Sequence, residues 1–156
     1  IDTTIEDVRG LAIRLRPGVL DHLGLVEAIE WFTTDFEKRF PITCIFSYEK
    51  GPEIRGSIAT AAYRITQEAL TNVARHATAT RVEVDLGFKK AILTLTIKDN
   101  GKGFDPATLN KTQNLGVVNM KERASLVGGT FRLKSSTASG TKIYFTVPLE
   151  KKEDLA

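Results

Sequence analysis

The chain has 156 residues, 42% apolar and 26% charged, with a formal net charge of +3; that length suits one domain with a sizeable core and is short for two. No apolar run reaches the roughly 20 residues of a membrane-spanning helix, and the opening IDTTIEDVRG lacks the basic start and apolar core of a secretory signal. The small, scattered charge shows no Lys/Arg stripe interleaved with aromatics and so argues against nucleic acid, while the single cysteine, Cys44, excludes a disulfide framework or thiol metal centre.

Ile1, Ile5, Val8, Ala12 and Leu15 follow the spacing of a coiled-coil or bundle helix, which Pro17 and Gly18 break. Leu25, Ile29, Phe32 and Phe36 then predict an amphipathic helix running to Phe40 and ended by Pro41. Residues 42–48 are β-rich and read as a strand, in which Cys44 is a small buried hydrophobe. A second amphipathic helix is predicted over 58–77, with Ile58, Ala62, Ile65, Ala69 and Val73 on its core face.

The period then changes to two. Val82, Val84 and Leu86, a turn at Lys89-Lys90, then Leu93, Leu95 and Ile97 predict a hairpin ending at Asp99. Residues 99–114, DNGKGFDPATLNKTQN, lack periodicity and read as one long loop, a length usually functional. A helix is predicted beyond Asn114, with Val117, Met120, Ala124 and Val127 inward and Gly128-Gly129 as its stop. Strands over 130–135 and 141–147, joined by a turn at Ser139-Gly140, close the domain before the charged tail KKEDLA. The sum is an α/β two-layer sandwich: a mixed, mainly antiparallel sheet of about five strands, covered by helices on one face.

Four short stretches could carry chemistry. In QEALTNVARHA, Glu68, Asn72, Arg75 and His76 fall within an arc of about 100° on an α-helix. A carboxylate, an amide, a guanidinium and an imidazole side by side can bind a metal ion and phosphates, but on spacing alone a solvated helix face is the more ordinary reading. In DNGKGF, Asp99 at a strand end could accept a hydrogen bond from an exocyclic amine, while Gly101 and Gly103 let a flat base approach the backbone; a plain acidic turn is the alternative. It is neither a phosphate-binding Walker loop nor a dinucleotide fingerprint. Asn114-Leu115-Gly116 is placed at a helix start, where free N–H groups favour an anion. Ser139-Gly140-Thr141 offers small residues and a hydroxyl at the entry to the last strand.

In this order, QEALTNVARHA, DNGKGF, NLGVVNMKERA and SGTKIYFTV resemble the asparagine box and the three glycine boxes of the GHKL (Bergerat) ATP-binding fold. That fold is shared by sensor histidine kinases, gyrase-type ATPases and anti-sigma-factor kinases. The upstream LRPGVLDHLGLVEAIEWF resembles the sensor histidine kinase subfamily that includes the bacterial nitrate/nitrite sensors. The resemblance implies that Asn72 coordinates the Mg²⁺ bridging the ATP phosphates, that Glu68 orients a metal-bound water, and that Arg75 faces the phosphates with His76 beside the nucleotide. It further implies that Asp99 accepts from the adenine amino group, with Gly101 and Gly103 shaping the pocket and Thr141 joining the adenine network. Residues 104–114 would be the ATP lid and Gly116 would meet phosphate.

By the same resemblance, residues 1–16 end a dimerisation and phosphotransfer helix, 17–24 are a linker, 25–149 form the ATP-binding catalytic domain and 150–156 are a tail. The implied reaction moves the γ-phosphoryl group of ATP to a histidine and thence to a response regulator, within a homodimeric protein that is cytoplasmic or the cytoplasmic part of a membrane-anchored bacterial sensor, and whose present chain makes no membrane contact. Two features depart from the pattern. Asn114 stands at the first glycine of the second glycine box, and neither His22, followed by Leu23, nor His76, followed by Ala77, has the acidic neighbour of a phospho-accepting histidine. The acceptor is therefore expected outside this chain. A non-catalytic nucleotide-dependent interaction module and an anti-sigma-type serine kinase are the alternatives.

Overall fold

The computed structural model describes residues 24–149; the predicted helix at 1–16, the break at Pro17 with His22, and the tail at 150–156 lie outside the described residues. Helix α1 (Leu25–Arg39) leads into strand β1 (Thr43–Tyr48), and helix α2 (Gly56–Asn72) continues as a π-helical turn (Val73–Ala77). Strands β2 (Arg81–Lys89) and β3 (Ile92–Asp99) form the predicted hairpin. A short 3₁₀ turn (Pro106–Thr108), helix α3 (Lys111–Leu126) and strands β4 (Thr130–Ser135) and β5 (Thr141–Pro148) complete the described chain. The sheet order is β1-β2-β3-β5-β4; β1 runs parallel to β2 and the remaining pairs are antiparallel. The mixed, mainly antiparallel five-stranded sheet is the one anticipated from the alternation.

That alternation decides the layers. Val82, Val84, Leu86, Leu93, Leu95, Ile97, Ile143, Phe145 and Val147 are buried, while the residues between them stay partly or fully exposed. The buried face takes α1 and α2, whose apolar stripes meet through an edge-to-face contact of Phe32 with Tyr63 at 5.9 Å between ring centroids. Cys44 is buried, as expected of a small hydrophobe, and burial, then the charge of Glu37, pushes its thiol up to about 12, which makes it inert.

Three boundaries differ from the sequence-based expectation. The helix predicted over 58–77 is α-helical only to Asn72, because the last five residues widen into a π turn closed by Thr78 in the left-handed region. The hairpin turn is carried by Lys90 and Ala91, both at positive φ, one residue later than expected. Helix α3 begins at Lys111 instead of after Asn114, because Asn110 and Gln113 form a capping box. There the Gln113 N–H donates to Asn110 Oδ1 at 2.8 Å and the Asn110 N–H to Gln113 Oε1 at 3.4 Å.

Candidate functional site

The C-terminal end of α2, its π turn, the end of β3, the loop after it and the start of β5 enclose one cleft. Asn72, His76, Asp99, Gly103 and Thr141 all line it, so five of the ten residues singled out from the sequence are brought together. The walls between them are apolar, with Ala69, Val73, Ile97 and Ile143 among the lining side chains. An apolar slot with a few convergent polar groups is the usual construction of a small-molecule site.

Asp99 is only 6% exposed at the end of β3. Its Oδ1 accepts the Gly101 N–H at 2.9 Å. Burial pushes its carboxyl up from the ordinary 3.8, and the backbone N–H groups of Gly101 and Thr141 pull it partly back. A carboxylate has about four acceptor positions, so Asp99 keeps capacity for a ligand's amine.

The loop carrying Asp99 is fastened at both ends. Asn100 Oδ1 accepts the N–H groups of Thr80 and Arg81, each at 3.0 Å, and its Nδ2 donates to Thr80 Oγ1 at 2.9 Å. The Lys102 N–H donates to the carbonyl of Ala77 in the π turn at 2.7 Å, and the Ala138 N–H to Lys102 O at 2.5 Å. A Cβ at Gly101 would run into the Ala77 carbonyl oxygen, and one at Gly103, where φ is +64°, into the Ser136 carbonyl oxygen. These glycines are therefore required first by backbone packed on backbone. Room for a flat base, the reason expected from the sequence, comes after this packing; of the two, Gly103 lines the cleft.

His76 presents a buried Nε2 with no hydrogen-bond partner among the described residues. Burial first, then the charges of Arg75 and Lys102, lower its pKa below 6.5. A neutral imidazole with a bare buried nitrogen beside the cleft suits a ligand that supplies the missing hydrogen bond.

Glu68 and Asn72 lie one turn apart on α2 and converge on a single point of α3. A Cβ added at Gly116 would be 2.5 Å from Glu68 Oε1 and 3.4 Å from Asn72 Nδ2. Gly116 therefore permits α3 to close over this pair, and it does so from the second turn of the helix, where it was expected at the free N–H groups of a helix start. Asn114 departs further from its expected position: its N–H is already bonded to the Asn110 carbonyl at 2.9 Å, and it lines a separate groove between α3 and β4. Arg75 is exposed on the π turn, where the extra residue per turn swings it off the arc calculated for an α-helix.

Sequence reasoning missed Gln113, which lines the cleft from the first turn of α3, and Asn100, which fastens the loop. It also missed Ser135, whose hydroxyl accepts the Phe104 N–H at 3.0 Å and lies 2.8 Å from Thr141 Oγ1. The pattern Asn-x-x-Gln at 110–113 was a legible capping signal; nothing local marks Ser135.

The chain resembles known proteins. Residues 58–151 match the family model described as histidine kinase-, DNA gyrase B-, and HSP90-like ATPase. The chain is 34% identical over 154 residues to the signal transduction histidine-protein kinase/phosphatase DegS of Brevibacillus brevis, covering 98% of the chain and 40% of that protein. It is 37% identical over 153 residues to the sensor protein VraS of Staphylococcus epidermidis, covering 98% and 43%. The chain thus spans less than half the length of these relatives. The histidine kinase domain of the blue-light-activated histidine kinase of Erythrobacter litoralis has the same fold, with a TM-score of 0.67 at 18% identity over 83% of the chain and 63% of that domain.

Proposed function

The chain belongs to the histidine kinase-, DNA gyrase B- and HSP90-like ATPase family, and from that premise we propose that it is the ATP-binding catalytic domain of a two-component sensor histidine kinase. The observation that carries this reading is the buried Asp99 carboxylate, placed by its own loop at the end of an apolar cleft that also holds Asn72 and the unpartnered Nε2 of His76. Asp99 accepts from the adenine amino group, Thr141 supports that contact through its hydroxyl, and Gly103 leaves the slot open. His76 packs beside the nucleotide, with the charge of Arg75 next to it on the π turn.

The donor set fits Mg²⁺ as well. Asn72 and Glu68 converge on one point, and magnesium takes one or two protein groups together with substrate phosphates and several waters. Asn72 would hold the ion and Glu68 would orient a water beside it. When bound, the ion offsets phosphate charge, while these residues supply the positioning on which phosphoryl transfer chiefly depends. In that transfer the bond from the γ-phosphorus to the β–γ bridging oxygen breaks, ADP keeps the electron pair, and a bond forms to an imidazole nitrogen of a histidine outside the chain. Residues 104–114 and the first turns of α3 act as the lid, with Gly116 meeting phosphate and Asn114 in place of the usual glycine altering closure.

In the whole protein the partners are the chain's own dimerisation and phosphotransfer segment in a homodimer, and a response regulator that takes the phosphoryl group. No helix among the described residues is long and apolar enough to cross a membrane, which is compatible with a cytoplasmic catalytic domain. The LRPGVLDHLGLVEAIEWF segment favours the subfamily of the nitrate/nitrite sensors over an anti-sigma-type serine kinase.

Titration calorimetry tests this. Asp99→Asn should weaken ATP binding about tenfold or more, the scale of a hydrogen bond to a charged group, while leaving the melting temperature nearly unchanged; equal affinity would refute the adenine contact. Asn72→Ala should abolish the part of ATP affinity that a Mg²⁺ chelator removes from the wild type. A variant still sensitive to chelation would refute the metal assignment.

A further inference from the structure

The polar stripe of α2 extends one turn beyond Glu68. From Ile58 to Asn72 the residues that are not buried are Thr60, Arg64, Glu68, Thr71 and Asn72, a single open strip with steps of four. The base end of the site is at the other end of that strip, at His76 and Asp99. Arg75 and Lys102 act on His76 and so belong to that end. Arg64 is the cation at the far end, with its Cα about 6 Å beyond that of Glu68 and about 12 Å beyond that of Asn72 along the axis.

Its side chain is held in place. Arg64 Nη1 donates to Gln67 Oε1 at 2.9 Å, and Gln67 Nε2 donates to the Tyr63 hydroxyl at 3.0 Å. Gln67 is 6% exposed and Tyr63 2%, with the Tyr63 ring packed on Phe32. Both ends of a buried amide are thus committed to orienting one half-buried guanidinium, which an ordinary surface pair on a solvated helix face would not require. The bond uses one of five N–H donors, and among the described residues no carboxylate pairs with Arg64.

We propose that Arg64 is a phosphate-binding residue for the terminal, γ-phosphoryl group of ATP, and that Gln67 and Tyr63 are positioning residues that aim it. A guanidinium fork matches phosphate oxygens in paired hydrogen bonds, and orienting it beforehand reduces what is lost on binding. The assignment rests on the ATP reading above and divides the stripe into a base end, a metal step at Asn72 and Glu68, and a γ-phosphate step at Arg64.

Calorimetry of the 156-residue chain with Mg²⁺ compares ADP with the non-hydrolysable β,γ-imido analogue of ATP. Arg64→Gln should lower affinity for the analogue about tenfold while ADP affinity holds to within about twofold, since only the former loses a charge-assisted contact. Arg64→Lys should restore part of the difference, and Gln67→Ala should reduce it in the same direction. Equal losses for both nucleotides, or none for either, would overturn the role of Arg64. A wild-type chain that binds neither nucleotide would instead overturn the ATP reading, and this assignment with it.

Discussion

The imidazole of His76 is lodged between a cleft and two cations, and its buried Nε2 has no partner among the described residues. Burial is the largest cause of its lowered pKa, and Arg75 and Lys102 add to it. The unfolded chain therefore takes up a proton near 6.5, and the folded chain only at lower pH. Between those two values the unfolded state holds more protons, so stability rises with pH through the window and is lost as pH falls from about 6.5 towards the lowered value. His76→Gln should flatten that acid-side slope in melting temperatures measured across the window; parallel slopes for variant and wild type would reject the linkage. A histidine so placed is a neutral pocket residue, and the sequence around it, His76-Ala77, likewise lacks the acidic neighbour of a phospho-acceptor.

At the scale of elements, two helix ends shape the site. The π turn at Val73–Ala77 offers the Ala77 carbonyl to the Lys102 N–H, so the end of α2 and the loop bearing Asp99 form one unit. The period of α2 was legible in its apolar residues, but its widening was not, because it is tied to a backbone contact made some 25 residues later in the chain. The start of α3 is set by its capping box, which converts the last residues of the expected loop into helix. Asn110→Ala should cost about 1 kcal/mol, the ordinary worth of an N-cap, as a lowered urea midpoint. An unchanged midpoint would mean that packing alone holds the first turn. Gly116 brings α3 against Glu68 and Asn72, so under the proposed lid role these turns would have to draw back for a triphosphate to reach that pair.

Across the whole molecule, strand pairing does what no short stretch could. The order β3-β5-β4 puts Asp99 at the end of one strand beside Thr141 at the start of the next, and Ser135 across from Thr141. It also assembles Arg132, Lys134 and Lys142 around the ring of Tyr144 on the open sheet face, with the cations 4.8 to 5.8 Å from its centroid. That cluster is invisible in linear order, where the basic residues look scattered. With radiolabelled ATP, label should appear on an added second polypeptide that carries an acceptor histidine and not on the chain itself; labelling of the chain would make His22 or His76 the acceptor. What the sequence determined by itself was whatever repeats locally: the 3.6 and 2.0 periods that set helices, strands and the buried face, and the order of the motifs that pointed to the family. The tertiary structure alone decided which residues meet. Gly101 against Ala77, Gly103 against Ser136, Gly116 against Glu68, and Arg64 held through Gln67 to a buried tyrosine all depend on the register and packing of segments. Close approach between distant stretches leaves no period in the chain, so only the folded backbone could reveal that these glycines make room for protein before they make room for a nucleotide.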